Sequence, residues 1–231
     1  KIIVTSYFEH SNEATKILVN TPIWGIGLDF LYGEDNLNSL ELIASSNKKL
    51  IAGVVDGRNI WKNDIDKTTQ LLEKIAKTLE KESIIVGSSC SLLHTPFTLK
   101  YEEKLDPEIK NWLSYAVEKL DEISLISKIF FDGIESLLED EKAKYLENIN
   151  ANHSRKTSNR IHSKEVQTRV SKHTKLQRDG VYEKRIKIQK DILKYQDLAT
   201  TTIGSFPQTP QIRKARKDFK SQLISKAEYE Q

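Results

Sequence analysis

The sequence predicts an α/β fold assembled from about four βα units in series, and three observations carry that expectation. Short runs rich in Ile and Val recur without polar alternation at Ile2–Val4, Ile26–Leu31, Leu50–Val55 and Ile84–Val86, the pattern of parallel strands buried on both faces. Amphipathic stretches lie between and after them. The units repeat every 25 to 35 residues or so, which suits either an open doubly wound sheet or part of an eight-fold barrel.

Each element has its own local warrant. In the third connection, "TTQLLEKIAKTLEK" places Leu71, Leu72, Ile75, Ala76 and Leu79 on one helical face, as a helix covering a sheet requires. After the fourth strand, "DPEIKNWLSYAVEKLDEI" reads as one helix with Asp106 as N-cap and Pro107 in the first helical position. Its buried stripe would be Ile109, Trp112, Leu113, Ala116, Val117 and Leu120. Near the end, "TTTIGSFPQTPQIRKARKDF" reads as a short β-branched strand over Ala199–Ile203, a glycine turn and a basic helix. Ser205 there has two readings, a cap for that helix with Pro207 in its first turn, or part of a ligand-binding turn at a strand end.

Charge divides the chain more clearly than linker composition does. Residues 1–150 hold 17 Lys and Arg against 25 Asp and Glu, residues 151–198 hold 13 against 5, and residues 199–231 hold 6 against 3. Three of the five histidines fall in the middle segment. An acidic body thus precedes a basic connector, expected to be a solvated, partly helical strap. A basic stripe can bind nucleic acid by releasing counterions, but this one has no reader motif, and nucleic acid is not expected as a partner. No run of eighteen apolar residues and no secretory leader occur in the sequence given, so no membrane association is expected. The lone Cys90 cannot form an internal disulfide and fits a reducing cytoplasm. With no methionine and an opening "KIIVTSY" that already reads as a strand, the chain is expected to be an internal piece of a longer protein.

Polar residues just past the strands carry whatever chemistry the acidic body has: Thr5, Tyr7 and His10, then Asp29, then Asp56 and Arg58, then Ser88 to His94. In a barrel they would converge on one rim. Within "VVDGRNIW", Asp56 can accept from turn N–H groups and Arg58 can pair with it or with a carboxylate ligand. Cys90 and His94 in "SSCSLLHTP" do not make a zinc site without further ligands, and a half-buried thiol beside a hydrogen-bonded histidine is the simpler reading. "GIGLDF" lacks the third glycine of a dinucleotide fingerprint, and its glycines lie inside a strand rather than at a helix start.

Five segments in one order, "LIAGVVDGRNIWKND", "SCSLLHTP", "LDPEIKNWLSYAVEK", "RIHSKEVQTRV" and "TTTIGSFPQTPQIRKARKDF", resemble cobalamin-independent methionine synthase. The resemblance implies an enzyme of methionine biosynthesis that transfers a methyl group from 5-methyltetrahydropteroyltri-L-glutamate to homocysteine, with zinc activating the thiol and no cobalamin. It implies two barrels derived from one ancestor and joined by a long connector. Residues 1–150 would then be the C-terminal half of the N-terminal (βα)8 TIM-type barrel, 151–198 the connector, and 199–231 the start of the catalytic barrel. Ile203, Gly204 and Ser205 would contact the amino-acid part of homocysteine. The zinc ligands, the proton-donating histidine and most folate contacts would lie outside this chain, leaving no catalytic or metal-binding residue within it and a fragment inactive alone.

The implied duplication also places Thr5 and Tyr7 where the His and Cys zinc ligands of the catalytic barrel stand, Asp29 where its Glu ligand stands, Cys90 at its last Cys, and Arg58 at its proton-donating histidine. Hydroxyl and phenol are poor replacements for imidazole and thiolate, so this rim reads as a degenerate copy, structural or engaged with the folate polyglutamate tail. The contrasting expectation is a non-catalytic half-barrel whose basic arm binds an acidic partner or RNA. Steep weakening of polyanion binding with salt would mark that alternative.

Overall fold

The computed structural model describes residues 1–173, 178, 180–201, 204 and 207–230. They form two compact units, residues 1–170 and 171–231. The first unit is α/β. Strands β1 (Ile3–Thr5), β2 (Gly25–Asp29), β3 (Lys49–Val55) and β4 (Ile84–Ser88) form a parallel sheet in the order β1-β2-β3-β4. All four sequence runs are therefore strands, displaced from the expected bounds by a few residues. Helices α1 (Asn12–Leu18), α2 (Leu40–Ala44) and α3 (Ile65–Ile75) make the crossovers, because parallel neighbours cannot be joined by a tight turn.

The register decides which residues share a face. Val4 pairs with Ile26, Ile26 with Leu50, and Leu50 with Ile84. On that side Ile26, Leu28, Leu50, Ala52, Val54, Ile84 and Val86 are all buried. They pack with Leu72 and Ile75 of α3 and with Ile126, Ile129 and Phe130 from the helix following β4. The alternate residues Ile3, Gly25 and Lys49, then Gly27, Ile51 and Ile85, line the other side. There Ile3 is 44% exposed and Ile85 36%. Burial on both faces, as the apolar runs suggest, thus holds at the centre of the sheet, where all of β2 and Gly53 and Val55 of β3 are buried, but not at Ile3 and Ile85 of the edge strands, because the helices cover one side and the described residues supply no second layer for the other.

Of the expected stripe, Leu72 and Ile75 are buried within α3, and the Asp64 carboxylate caps the helix by accepting from the Lys67 N–H at 3.3 Å. The helix ends at Ile75, short of the expected Lys81, and Leu79 is buried in the turn that follows. The expected single helix after β4 is instead two. Asp106 does cap α4 (Pro107–Asn111), accepting from the Glu108 and Ile109 N–H groups, but the chain leaves helical geometry at Trp112–Tyr115 before α5 (Ala116–Asp132) begins. The backbone groups of the break are taken elsewhere. Lys62 N–H donates to the Trp112 carbonyl and Ser114 N–H to the Ile60 carbonyl, both at 2.8 Å, with Trp61 and Leu113 paired as an antiparallel bridge. This resets the helical phase, so α5 buries Lys119, Glu122, Ile126, Ile129 and Phe130, while Leu120 is 56% exposed.

Helix α6 (Glu139–Thr157) then packs on the loop after β3, its buried Asn148 and Asn152 both donating to the Asn63 carbonyl. Helix α7 (Lys164–Ser171) follows. The second unit contains α8 (Tyr182–Leu193), α9 (Pro210–Lys220) and α10 (Lys226–Tyr229), with Phe219 stacked on Tyr229 at 4.6 Å. The cap of the expected basic helix is Thr209, which accepts from the Ile212 N–H, so Pro207 precedes that helix, while Ser205 lies outside the described residues. Of the expected strand Ala199–Ile203, residues 199–201 belong to no strand, while Thr202 and Ile203 lie outside the described residues.

Strands β1 and β4 each have one neighbour in the sheet, and unpaired parallel edges recruit further strands. The isolated chain is expected to self-associate. Sedimentation velocity across about a hundredfold range of concentration should show a rising average mass; a constant monomer mass would mean that neither edge nor the open face drives association.

Candidate functional site

The C-terminal ends of the four strands lie at one end of the sheet, and the polar residues read from the sequence gather there. A cavity of about 350 Å³ is lined by Thr5, Tyr7, Gly27, Ile51, Ser89 and Cys90 among others. Its floor is the uncovered face of the sheet. Gly27 is required for β1 to approach so closely, since a Cβ there would come within 2.6 Å of the Thr5 methyl.

Asp29 organises this rim. It is fully buried at the end of β2, and its carboxylate accepts from three backbone N–H groups: Leu31 at 2.8 Å, Tyr32 at 3.0 Å and Phe8 at 3.2 Å. The Asp29 carbonyl also accepts from the Asn36 side-chain amide at 2.8 Å, and the Asn36 oxygen accepts from the Ser11 N–H at 2.8 Å. The loop after β1 is thereby tied to the end of β2. Phe8 and Glu9 within it have φ of 65° and 90°, a left-handed conformation costly for such side chains and held by these bonds.

The constrained loop places aromatic rings around Arg58. Its guanidinium lies 4.6 Å from the Phe8 ring centre and 4.7 Å from that of Tyr32, a cation held between two π faces. Asp56 supports the arrangement by accepting from the Tyr32 hydroxyl at 2.8 Å, the Arg58 N–H at 2.8 Å and the Asn59 amide. The hydrogen bond to this carboxylate, with burial second, raises the Tyr32 pKa. Arg58 is exposed and is suited to receive an anionic group. His94 is exposed and lies against Phe8 with ring centres 5.5 Å apart. The expected hydrogen-bonded histidine is therefore a ring contact. Cys90 is buried, more deeply than the expected half-burial. Desolvation raises its pKa, the Asp56 and Asp29 charges add to the rise, and the Ser89 hydrogen bond and Arg58 oppose it.

Among the described residues no group of three or more His, Cys, Asp and Glu is placed to hold a metal. The chemistry of the rim agrees: the Asp29 carboxylate is committed to backbone donors, Cys90 is kept as a thiol, and Thr5 and Tyr7 supply only hydroxyls. These residues do not fit a zinc centre. Of the residues expected to contact homocysteine, Gly204 is described and, its chain neighbours aside, no atom of the described residues lies within 4 Å of where a Cβ would stand, while Ile203 and Ser205 lie outside the described residues. The sequence points to Asp29, Asp56, Arg58 and Cys90. It gives no comparable sign of Phe8, Tyr32 or Asn36, whose one visible signal is position just past a strand.

Two outcomes are expected. Asp29→Ala leaves three backbone donors without their acceptor and should cost about 1–3 kcal/mol in chemical denaturation; an unchanged midpoint would refute its role at the rim. The chain alone should retain no stoichiometric zinc after dialysis, and Cys90 should alkylate slowly at neutral pH, its rate rising only above the usual thiol range. Close to one zinc per chain, lost in Cys90→Ser, would overturn the reading of this rim as unfit for a metal.

Comparison with known proteins places both ends of the chain. Residues 1–80 match the family profile described as cobalamin-independent synthase, N-terminal domain, and residues 198–231 match that of cobalamin-independent synthase, catalytic domain. Across its full length the chain is 47% identical to a curated 5-methyltetrahydropteroyltriglutamate–homocysteine methyltransferase of Desulforamulus reducens. It is 38% identical, again over its full length, to that of Buchnera aphidicola subsp. Schizaphis graminum, and 37% to that of Bacillus cereus. The chain spans about 30% of the length of each of these relatives. With both profiles matched in order and all 231 residues aligned, the chain belongs to the cobalamin-independent methionine synthase family.

Proposed function

We propose that this chain is part of a cytoplasmic methyltransferase that moves a methyl group from 5-methyltetrahydropteroyltri-L-glutamate to homocysteine, forming methionine without cobalamin. The observation that carries the proposal is the alignment of the whole chain with methyltransferases of that printed activity, at up to 47% identity among those compared. The parallel sheet with its uncovered face supports reading residues 1–150 as half of an eight-stranded barrel, whose remaining strands would fill that face. Residues 151–198 would be the inter-barrel connector and 199–231 the start of the catalytic barrel.

In this reading zinc belongs to the catalytic barrel, with its ligands outside this chain, and it would activate the homocysteine thiol there. This chain alone is inactive. Its own contribution to the substrate is the segment Ile203-Gly204-Ser205, whose backbone N–H groups and serine hydroxyl are of the kind that suits the carboxylate of a small amino acid. The rim at Asp29, Arg58 and Cys90 is a degenerate counterpart of the catalytic rim. Its committed Asp29 carboxylate and protonated Cys90 support a structural role, and the exposed face of Arg58 offers one site for an anionic tail.

The test is made in the complete enzyme. Ser205→Ala should weaken homocysteine binding by roughly 1–3 kcal/mol, the cost of leaving a buried charged acceptor short of a donor, with the fold retained. An unchanged apparent affinity for homocysteine would remove the binding role from this segment.

A further inference from the structure

The Arg58 guanidinium makes no ion pair and no hydrogen bond with any described residue. Arg160, by contrast, pairs with Asp106 at 2.9 Å and with Glu108 at 2.8 Å. Two carboxylates do stand near Arg58, close enough that all three charges act on the Cys90 thiol. Both are already committed. Asp56 accepts from the Tyr32 hydroxyl, the Arg58 backbone N–H and the Asn59 amide, and Asp29 accepts from three backbone N–H groups. The five N–H donors of the guanidinium are therefore left to solvent.

This free cation is nevertheless held in place. Phe8 and Tyr32 lie against it at 4.6 and 4.7 Å, and Phe8 is delivered by a loop that keeps two successive residues at φ of 65° and 90°. Backbone strain of this kind collects at ligand sites, where it fixes a geometry in advance. The aromatic surface continues beyond the guanidinium: Tyr7 meets Phe8 edge to face at 4.9 Å, and the His94 ring lies 5.5 Å from that of Phe8. Tyr7, Phe8 and Tyr32 are 48%, 40% and 43% exposed, and Tyr7 also lines the rim cavity. A fixed guanidinium can take a carboxylate through two parallel hydrogen bonds, and the rings beside it can take an aromatic body by offset or edge contact.

We propose that Arg58, Phe8 and Tyr7 form a binding site for an aromatic monocarboxylate, its carboxylate on the guanidinium edge and its ring against Phe8 and Tyr7. The neighbouring acids set the charge of the ligand. Asp29 and Asp56 offset the attraction of Arg58, so a second negative charge on the ligand meets repulsion where the first finds a partner. The proposal rests on the reading of Arg58 as a receiver of anions and adds to it the charge and the body of the ligand. Methyl transfer does not call for it.

The probes are benzoate, cyclohexanecarboxylate, phenyl phosphate as its dianion and benzylammonium, titrated into the full chain and followed by NMR. Benzoate should bind saturably and move the Arg58 Nε–H together with the amides of Phe8 and Asn59. Cyclohexanecarboxylate, which lacks a π face, and phenyl phosphate should each bind at least about tenfold more weakly, equivalent to about 1.4 kcal/mol, and benzylammonium should cause no saturable shift. Arg58→Lys keeps the charge but loses the planar fork and should weaken benzoate at least about tenfold. Tyr7→Ala should weaken it by about threefold or more. Both side chains are exposed, so the thermal midpoint should be retained in each variant. Phenyl phosphate or cyclohexanecarboxylate binding as tightly as benzoate would overturn the proposed ligand class while leaving Arg58 an anion site. No saturable binding of any of the anions would remove both readings, and wild-type benzoate binding by either folded variant would overturn the site. None of these outcomes bears on homocysteine binding, by which the methyl-transfer reading is tested.

Discussion

Parallel pairing of consecutive strands is the constraint from which the rest of the first unit follows. Parallel neighbours must be joined by a crossover, so every connection carries a helix. The residues beneath those helices, Ile26, Leu28, Leu50, Ala52, Val54, Ile84 and Val86, form one continuous apolar layer. At about 1.5–3 kcal/mol for each large aliphatic side chain buried, this layer is the main favourable contribution. The same constraint brings every strand's C-terminal end to one rim. Thr5, Asp29, Asp56 and Cys90, separated by up to 85 positions in the sequence, become neighbours there because the strands run in register.

The rim illustrates how a polar residue can take a structural task at a place where such folds bind ligands. The buried Asp29 carboxylate serves three backbone donors, which fixes the loop carrying Phe8 and, through Tyr32, the second ring on Arg58. A carboxylate already accepting three hydrogen bonds has little left for a metal. The cation between two rings still faces outward, as do Tyr7 and His94.

Away from the rim, the loop after β3 is organised by side chains acting on backbone. Asn148 and Asn152 donate to the Asn63 carbonyl, Glu122 accepts from the Asn63 N–H, and Lys119 donates to the Trp61 carbonyl. Those buried polar residues on α5 and α6 satisfy a segment that has left the sheet and would otherwise bury its peptide groups without partners.

What the sequence by itself determined was local or repetitive: four apolar strand runs, the apolar stripe of the Thr68–Lys81 stretch, helical as far as Ile75, the Asp106-Pro107 start of α4 and the shift from acidic to basic charge. Those features depend on residue type and short-range periodicity, which a sequence displays directly. The five quoted segments also carried the family. Only tertiary structure decided that the helix after Asp106 breaks at Trp112, since the break arises from pairing with residues 60–62, some fifty positions earlier. It likewise decided that Leu120 faces outward while Lys119 and Glu122 face inward, against their hydropathy, and that Asp29 serves backbone rather than ligand. In each case the deciding partner is distant in sequence, and local propensity yields to whichever long-range contact satisfies buried peptide groups.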